Sequence, residues 1–135
     1  MEIKEFFKKD RYAVFSGVEL LEVKSGYARA KMEIKDMHLN AGNVVQGGAI
    51  FTLADLAFAA AVNAYGNLAM SIETSIRYFR GIGEGTLFAE ANILNIHPKL
   101  ATFEVKVTNE ANDLIAVFTA TAYRKNTSLP FDPIE

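Results

Sequence analysis

The sequence predicts an α+β fold: a curved antiparallel β-sheet wrapped around one long central helix. Three observations lead there. Residues from Gly47 to about Ala64 are rich in Ala and Leu, with Gly66 as a stop, and read as a single long helix. That helix is apolar nearly all round, so it must be covered on most of its sides. Strand-like segments surround it in the order strand, strand, helix, then four strands, and a curved sheet supplies the cover. Any face the sheet leaves open would meet another subunit.

Taken in order, residues 2–9 read as a short amphipathic helix, with Ile3, Phe6 and Phe7 on one side. The stretch from there to Gly17 shows no clear pattern. Val18–Lys24 is a strand and Ser25-Gly26 the turn of a hairpin. Ala28, Ala30, Met32 and Ile34 then alternate with Arg29, Lys31, Glu33 and Lys35, giving a strand with one buried and one wet face. Asn40, Gly42 and Asn43 make 36–45 a loop before the helix. Strands are expected over roughly 68–80, 86–97, 100–109 and 113–124. Gly81, Gly83 and Gly85 separate the first pair, Pro98 the second, and "NEAND" (109–113) forms the last turn. A loose or extended tail is expected over about 126–135. No repeat, low-complexity tract or linker divides the chain, so 1–135 reads as one domain.

Composition narrows the function. Half of the 135 residues are apolar, the net charge is −2 and no long basic run occurs, which argues against nucleic acid as a partner. A small anionic ligand needs only a few local cations. With no cysteine, disulfides, thiolate nucleophiles and cysteine metal sites drop out together, in keeping with a reducing compartment. The N-terminus lacks the unbroken apolar core of a signal peptide. The run after Gln46 is shorter than the ~20 residues a membrane span needs, and it carries Asp55 at its middle. A soluble, cytoplasmic protein with no membrane partner is the expectation.

Chemistry is found by elimination. His38 and His97, the two histidines, lie far apart and form no paired ligand motif, so no metal is expected. None of Ser16, Ser25, Ser71, Ser75 and Ser128 sits in GxSxG. Gly47-Gly48 lacks the rest of a phosphate loop, and "GIGEG" (81–85) has no following helix. Asp55 and the start of the helix remain. Gly47 and Gly48 place free N–H groups at the positive end of the helix, where they can polarise a carbonyl; they equally well serve a tight turn or close packing. Asp55, with Phe51, Phe58, Ala59 and Thr52 around it, is either a structural carboxylate, capping a loop or pairing with an arginine, or a general base or nucleophile with a raised pKa. Eight residues of helix put it about 12 Å from Gly47, too far for the 3–3.5 Å or so that a reaction needs. If both serve one site, they come from different chains of a two-fold dimer with two identical sites.

At this point the residues resemble a known family. "HLNAGNVVQGGAIFTLADLAFAAAVNAYG" (38–66) is similar to the signature of hotdog-fold acyl-CoA thioesterases, in particular the PaaI-like group. "MSIETSIRYFRGIGEGTLFAEANI" (70–93) resembles that family's next strand pair. The resemblance implies that Asn40 positions the thioester or water, that the Gly47 N–H binds the thioester oxygen, and that Asp55 is the carboxylate, acting across a dimer. Ser71 matches, more loosely, a residue that orients water. Gln46, Gly48 and Thr52 join the expected substrate contacts. Two such dimers commonly form a tetramer in the family. It further implies hydrolysis of an acyl-CoA or aryl-acyl-CoA with no cofactor. One departure stands out: the family usually has His before the two glycines, and this chain has Gln46, which hydrogen-bonds but carries no proton. In "YFRG", Gly81 also stands where proline is frequent. Two rival readings follow: an acyl-CoA-binding sensor without turnover, which Gln46 favours, and a hydroxyacyl-thioester dehydratase, which lacks its usual histidine. Arg77, Arg80, Lys99, Arg124 and Lys125 are candidate phosphate contacts, each equally readable as an ordinary solvated charge.

Overall fold

A computed structural model describes residues 1–135. Two short helices come first, α1 (Ile3–Phe7) and α2 (Arg11–Phe15). The hairpin β1 (Val18–Lys24) and β2 (Tyr27–Glu33) follows, then a 3-10 turn (Asp36–His38) and the long helix α3 (Gly47–Asn63). Four strands complete the fold: β3 (Asn67–Tyr78), β4 (Thr86–Ile96), β5 (Leu100–Thr108) and β6 (Leu114–Ser128). All six strands form one antiparallel sheet in the order β1-β2-β4-β5-β6-β3. The α3 helix lies across it and touches every strand.

Size matching lets the sheet wrap the helix. Ala28, Ala30 and Met32 of β2 pair with Ala91, Ala89 and Leu87 of β4, and all six are fully buried. Val105 and Val107 continue the rows on β5, and Phe118 and Ala116 on β6. The alanines let α3 approach closely, and larger side chains fill the flanks. Phe58 of α3 meets Phe103 edge-on with ring centroids 5.6 Å apart, a geometry worth about 0.5–1.5 kcal/mol beyond the area buried.

Three details differ from the sequence reading. The first helix ends at Phe7, and the patternless stretch after it holds α2, capped by the Asp10 side chain accepting from Ala13 N at 3.1 Å. Strand β6 runs to Ser128, pairing with Asn67 of β3, beyond its expected end at 124. The tail after it, expected to be extended or loose, has no regular structure and is tied to the segment after α3. Leu129 N donates to Gly66 O (2.9 Å) and Ile134 N to Ala64 O (3.0 Å). The last carbonyls of a helix lack intrahelical partners; the tail supplies one for Ala64 O, while Gly26 N serves Ala61 O.

Candidate active site at the start of the central helix

The loop before α3 is held by two side chains. His38 is buried; its Nε2 lies 2.7 Å from Ser16 O, and its Nδ1 accepts from Lys35 N at 2.9 Å. A ring nitrogen that accepts from an amide leaves the other to donate, so both histidine nitrogens are used structurally. Asn40 closes the turn that follows: its Oδ1 accepts from Gly42 N (2.8 Å) and Val44 N (3.3 Å). The Asn40 amide nitrogen makes no bond within the chain. Asn43, at φ 61, completes the turn in a left-handed conformation that asparagine tolerates.

Gln46 is the N-cap of α3. Its N–H donates to His38 O at 2.8 Å and its carbonyl accepts from Ala49 N at 2.9 Å, but its side chain caps nothing. The N–H groups of Gly47 and Gly48 find no acceptor within the chain, as expected for the first turn of a helix. Both glycines also sit close to a neighbouring side chain, Gly47 tightly and Gly48 against a side-chain end that can swing away. A β-carbon on Gly47 would lie 2.9 Å from the ring of Tyr78, and one on Gly48 would lie 2.7 Å from the Gln46 Oε1. The Tyr78 hydroxyl donates to Gly47 O at 2.8 Å, anchoring the helix start to the end of β3. A surface groove runs past this point, lined by Val44, Ile50, Phe79 and Gly81.

Asp55 lies two turns further on. The sheet buries Leu53, Ala54, Ala57, Ala60 and Ala61 completely, whereas Gly48, Thr52, Asp55 and Ala59 mark the side of α3 that remains partly open. Asp55 makes no hydrogen bond and no ion pair. Burial pushes its carboxyl above the ordinary 3.8, and the Asp10 carboxylate adds to the rise. A proton therefore binds there more readily than at a surface carboxylate.

The structure sorts the expected site residues into two groups. Asn40, Gln46, Gly47, Gly48 and Thr52 gather at the start of α3. The Thr52 hydroxyl already donates to Gly48 O at 2.8 Å, so it serves the helix. Asp55 and Ser71 stand apart from them. Asp55 is about 12 Å short of the helix end at Asn63, and Ser71, exposed on β3, is about 13 Å past Asn67 as that strand returns along the helix. Both are thus remote from Gly47. Tyr78 and Asp10 were missed in the sequence. Their roles arise from tertiary proximity, although an aspartate directly before "RYAVF" is a readable helix cap. No group of three or more His, Asp or Glu side chains is placed to hold a metal ion.

The fold and this helix start define the class first: a hotdog protein of the thioesterase kind. The chain matches the Thioesterase superfamily over residues 42–116, more than half its length, and belongs to that family. It is 46% identical over 130 residues to a protein of Archaeoglobus fulgidus named provisionally as an esterase, covering 95% of this chain and 84% of that one. It is 27% identical over 119 residues to the acyl-coenzyme A thioesterase PaaI of Escherichia coli, covering 87% and 85%. The solved structure of that PaaI superposes with a TM-score of 0.88, covering 92% of this chain and 91% of that one at 25% identity. The TT0310 protein of Thermus thermophilus superposes with a TM-score of 0.82 at 34% identity, covering 86% and 98%.

Proposed function

We propose that the protein hydrolyses acyl-CoA or aryl-acyl-CoA thioesters to the free acid and CoA, in a site shared between two copies of the chain. The observation that carries this reading is Asp55, an unpaired carboxylate on the open side of an otherwise buried helix. Such a group costs stability, and a role in catalysis accounts for its being kept there. Two α3 helices packed antiparallel about a two-fold axis bring the Gly47 of one chain to the Asp55 of the other.

The Gly47 N–H, at the positive end of α3, polarises the thioester carbonyl and stabilises the oxyanion that forms on it. Asp55 from the other chain takes a proton from water as the water oxygen attacks the carbonyl carbon. The C–S bond then breaks, and the thiolate leaves with that proton or one from solvent. Direct attack by the carboxylate is the covalent variant of the same arrangement. The free Asn40 amide is placed to orient the thioester or the water. Gln46 offers a hydrogen bond but no proton. That favours the second reading, an acyl-CoA-binding protein without turnover. The cytoplasm, where CoA thioesters are made, is the setting that suits either reading.

Thiol release from a panel of aliphatic and aromatic acyl-CoAs tests the proposal. Asp55→Asn should lower kcat by about 10²–10⁴-fold. Gly47→Pro removes the proposed donor at a helix position that accepts proline, and Gln46, at φ −63 and ψ 139, already has the conformation a residue before proline adopts. Gly47→Ala carries the same β-carbon toward Tyr78 and keeps the N–H. The proline variant should be slower than the alanine variant by about 10²-fold. Equal rates for wild type and Asp55→Asn would remove Asp55 from the mechanism, and tight acyl-CoA binding with no thiol release would leave the non-catalytic reading.

A further inference from the structure

The start of α3 is built as a weak point. The side chain of its N-cap, Gln46, caps nothing, no acidic residue stands in the first turn, and the first two helical residues are glycines. Glycine disfavours helix and leaves the backbone most free. The chain just before them is fixed, since Val45 N donates to Ile82 O and Gln46 N to His38 O, each at 2.8 Å. The Gly47–Gly48 peptide has one hold from outside the helix. It is the Tyr78 hydroxyl, which donates to Gly47 O at 2.8 Å.

Neither partner needs that bond to be satisfied. A helical carbonyl already faces the N–H four residues on. Tyr78 is 46% exposed, so water could serve its hydroxyl. What the bond adds is direction. Tyr78 is itself fixed by the sheet: it pairs with Ala116 of β6, and Phe79 N donates to Ile115 O at 2.8 Å. Ala116 and Ile115 are both fully buried. The ring leans on Gly47 so closely that a β-carbon there would meet its Cζ and its hydroxyl oxygen at 2.9 Å. Burial pushes the Tyr78 phenol above its ordinary 10.0, so the hydroxyl stays protonated and donating at neutral and mildly alkaline pH. A carbonyl that accepts a hydrogen bond also strengthens the N–H of its own peptide as a donor. The Gly47 carbonyl shares its peptide with the Gly48 N–H.

We infer that Tyr78 is the positioning residue of the oxyanion donor: it pins the first turn of α3 to the sheet, so that the N–H groups of Gly47 and Gly48 are aimed before substrate arrives. The inference rests on the hydrolysis proposed above. Donors stabilise an oxyanion best when they need no reorganisation as the charge forms. An unpinned pair of glycines would have to be ordered in every turnover. Tyr78 touches no reacting atom and acts through the backbone of Gly47.

Tyr78→Phe tests this on the intact protein, because it keeps the ring and removes the bond. Three quantities are read: thiol release from acyl-CoA, the denaturant midpoint, and amide hydrogen exchange at Phe51 and Thr52, whose N–H groups an α-helix directs at the Gly47 and Gly48 carbonyls. In the variant kcat should fall about tenfold, less than the 10²-fold or so for losing a donor outright, with KM unchanged. Exchange at Phe51 and Thr52 should quicken about tenfold while the midpoint stays where it is. Unchanged exchange would overturn the inference. So would quickened exchange with an unchanged kcat, which makes the bond structural only, or a rise in KM alone, which makes it a matter of substrate binding. A midpoint that falls along with kcat would also overturn it, as a loss of general stability. If wild type releases no thiol from any acyl-CoA, the hydrolase reading fails; quickened exchange in Tyr78→Phe would still uphold Tyr78 as the residue that aims the two N–H groups, and unchanged exchange would remove it.

Discussion

The two edges of the sheet differ in length and in exposed apolar surface. β1 is seven residues long, bulged between Leu20 and Glu22, and set with Glu19, Glu22 and Lys24; α1 and α2 pack against it. β3 is twelve residues long, is also bulged (between Asn67 and Ala69 and between Ser71 and Glu73), carries Glu73 and Arg77, and pairs only with β6. Its outer surface shows Met70 and Ile72, 54% and 61% exposed, and Tyr78 and Phe79 continue the apolar line. Short, covered edges resist pairing with another chain, and long ones with exposed apolar side chains invite it. The comparison teaches where a second copy would join. It is also the edge that ends on Gly47, through the Tyr78 hydroxyl.

The largest expected effect breaks this asymmetry directly. Ile72→Lys places a charge on the open edge. It should convert an oligomer into monomer by light scattering and lower hydrolysis by about 10²-fold, close to the loss of the carboxylate itself. Glu22→Lys, the matching change on the covered edge, should alter neither mass nor rate. An active Ile72→Lys monomer would sink the shared site.

A smaller effect links the covered edge to the chemistry. Asp10, the cap of α2, adds to the raised pKa of Asp55. Asp10→Ser and Asp10→Ala should both move the acid limb of kcat to lower pH, because a carboxylate that loses a charged neighbour ionises more easily. Asp55 also makes stability depend on pH. Its folded pKa lies above the unfolded value near 3.8, so its contribution is fully present below about 3.8 and lost as pH rises through the folded value. Asp55→Asn should therefore be more stable than wild type at pH 7 and lose that advantage in acid, measured by denaturant unfolding.

The smallest effect is purely structural. Serine at position 10 keeps the cap and alanine does not, so Asp10→Ala should unfold about 1 kcal/mol more easily than Asp10→Ser. Neither should change the oligomer.

Much of the fold was legible because burial in this chain follows simple periods. The alternation of Ala28, Ala30 and Met32 with charges is the alternation seen in β2. The helix was visible as an apolar run that only a wrapped sheet can cover. What stayed hidden was short or tertiary. α2 has five residues, too few to show a period, and its single sign is Asp10. The tail is tied to the carbonyls of Ala64 and Gly66 just after α3, which no local pattern reveals. The candidate site was legible where a residue contradicted its surroundings, as Asp55 and Gly47-Gly48 do. Asn40, Gln46 and Thr52 contradict nothing locally, and two of them turn out to have a side-chain oxygen engaged in shaping the loop or the helix. Tyr78 became visible only when β3 folded back onto the start of α3.

Asp55 at the centre of α3 also has a genetic reading. A site that takes its carboxylate from one chain and its N–H donor from another can be rebuilt from two broken copies. In a mixed dimer of Gly47→Pro and Asp55→Asn chains, one site carries both defects and the other carries neither. Random exchange of the two inactive proteins should restore about a quarter of the wild-type rate, since half the dimers are mixed and each holds one sound site. Two null alleles of this one gene would then complement each other, and a site confined to a single chain would never permit it.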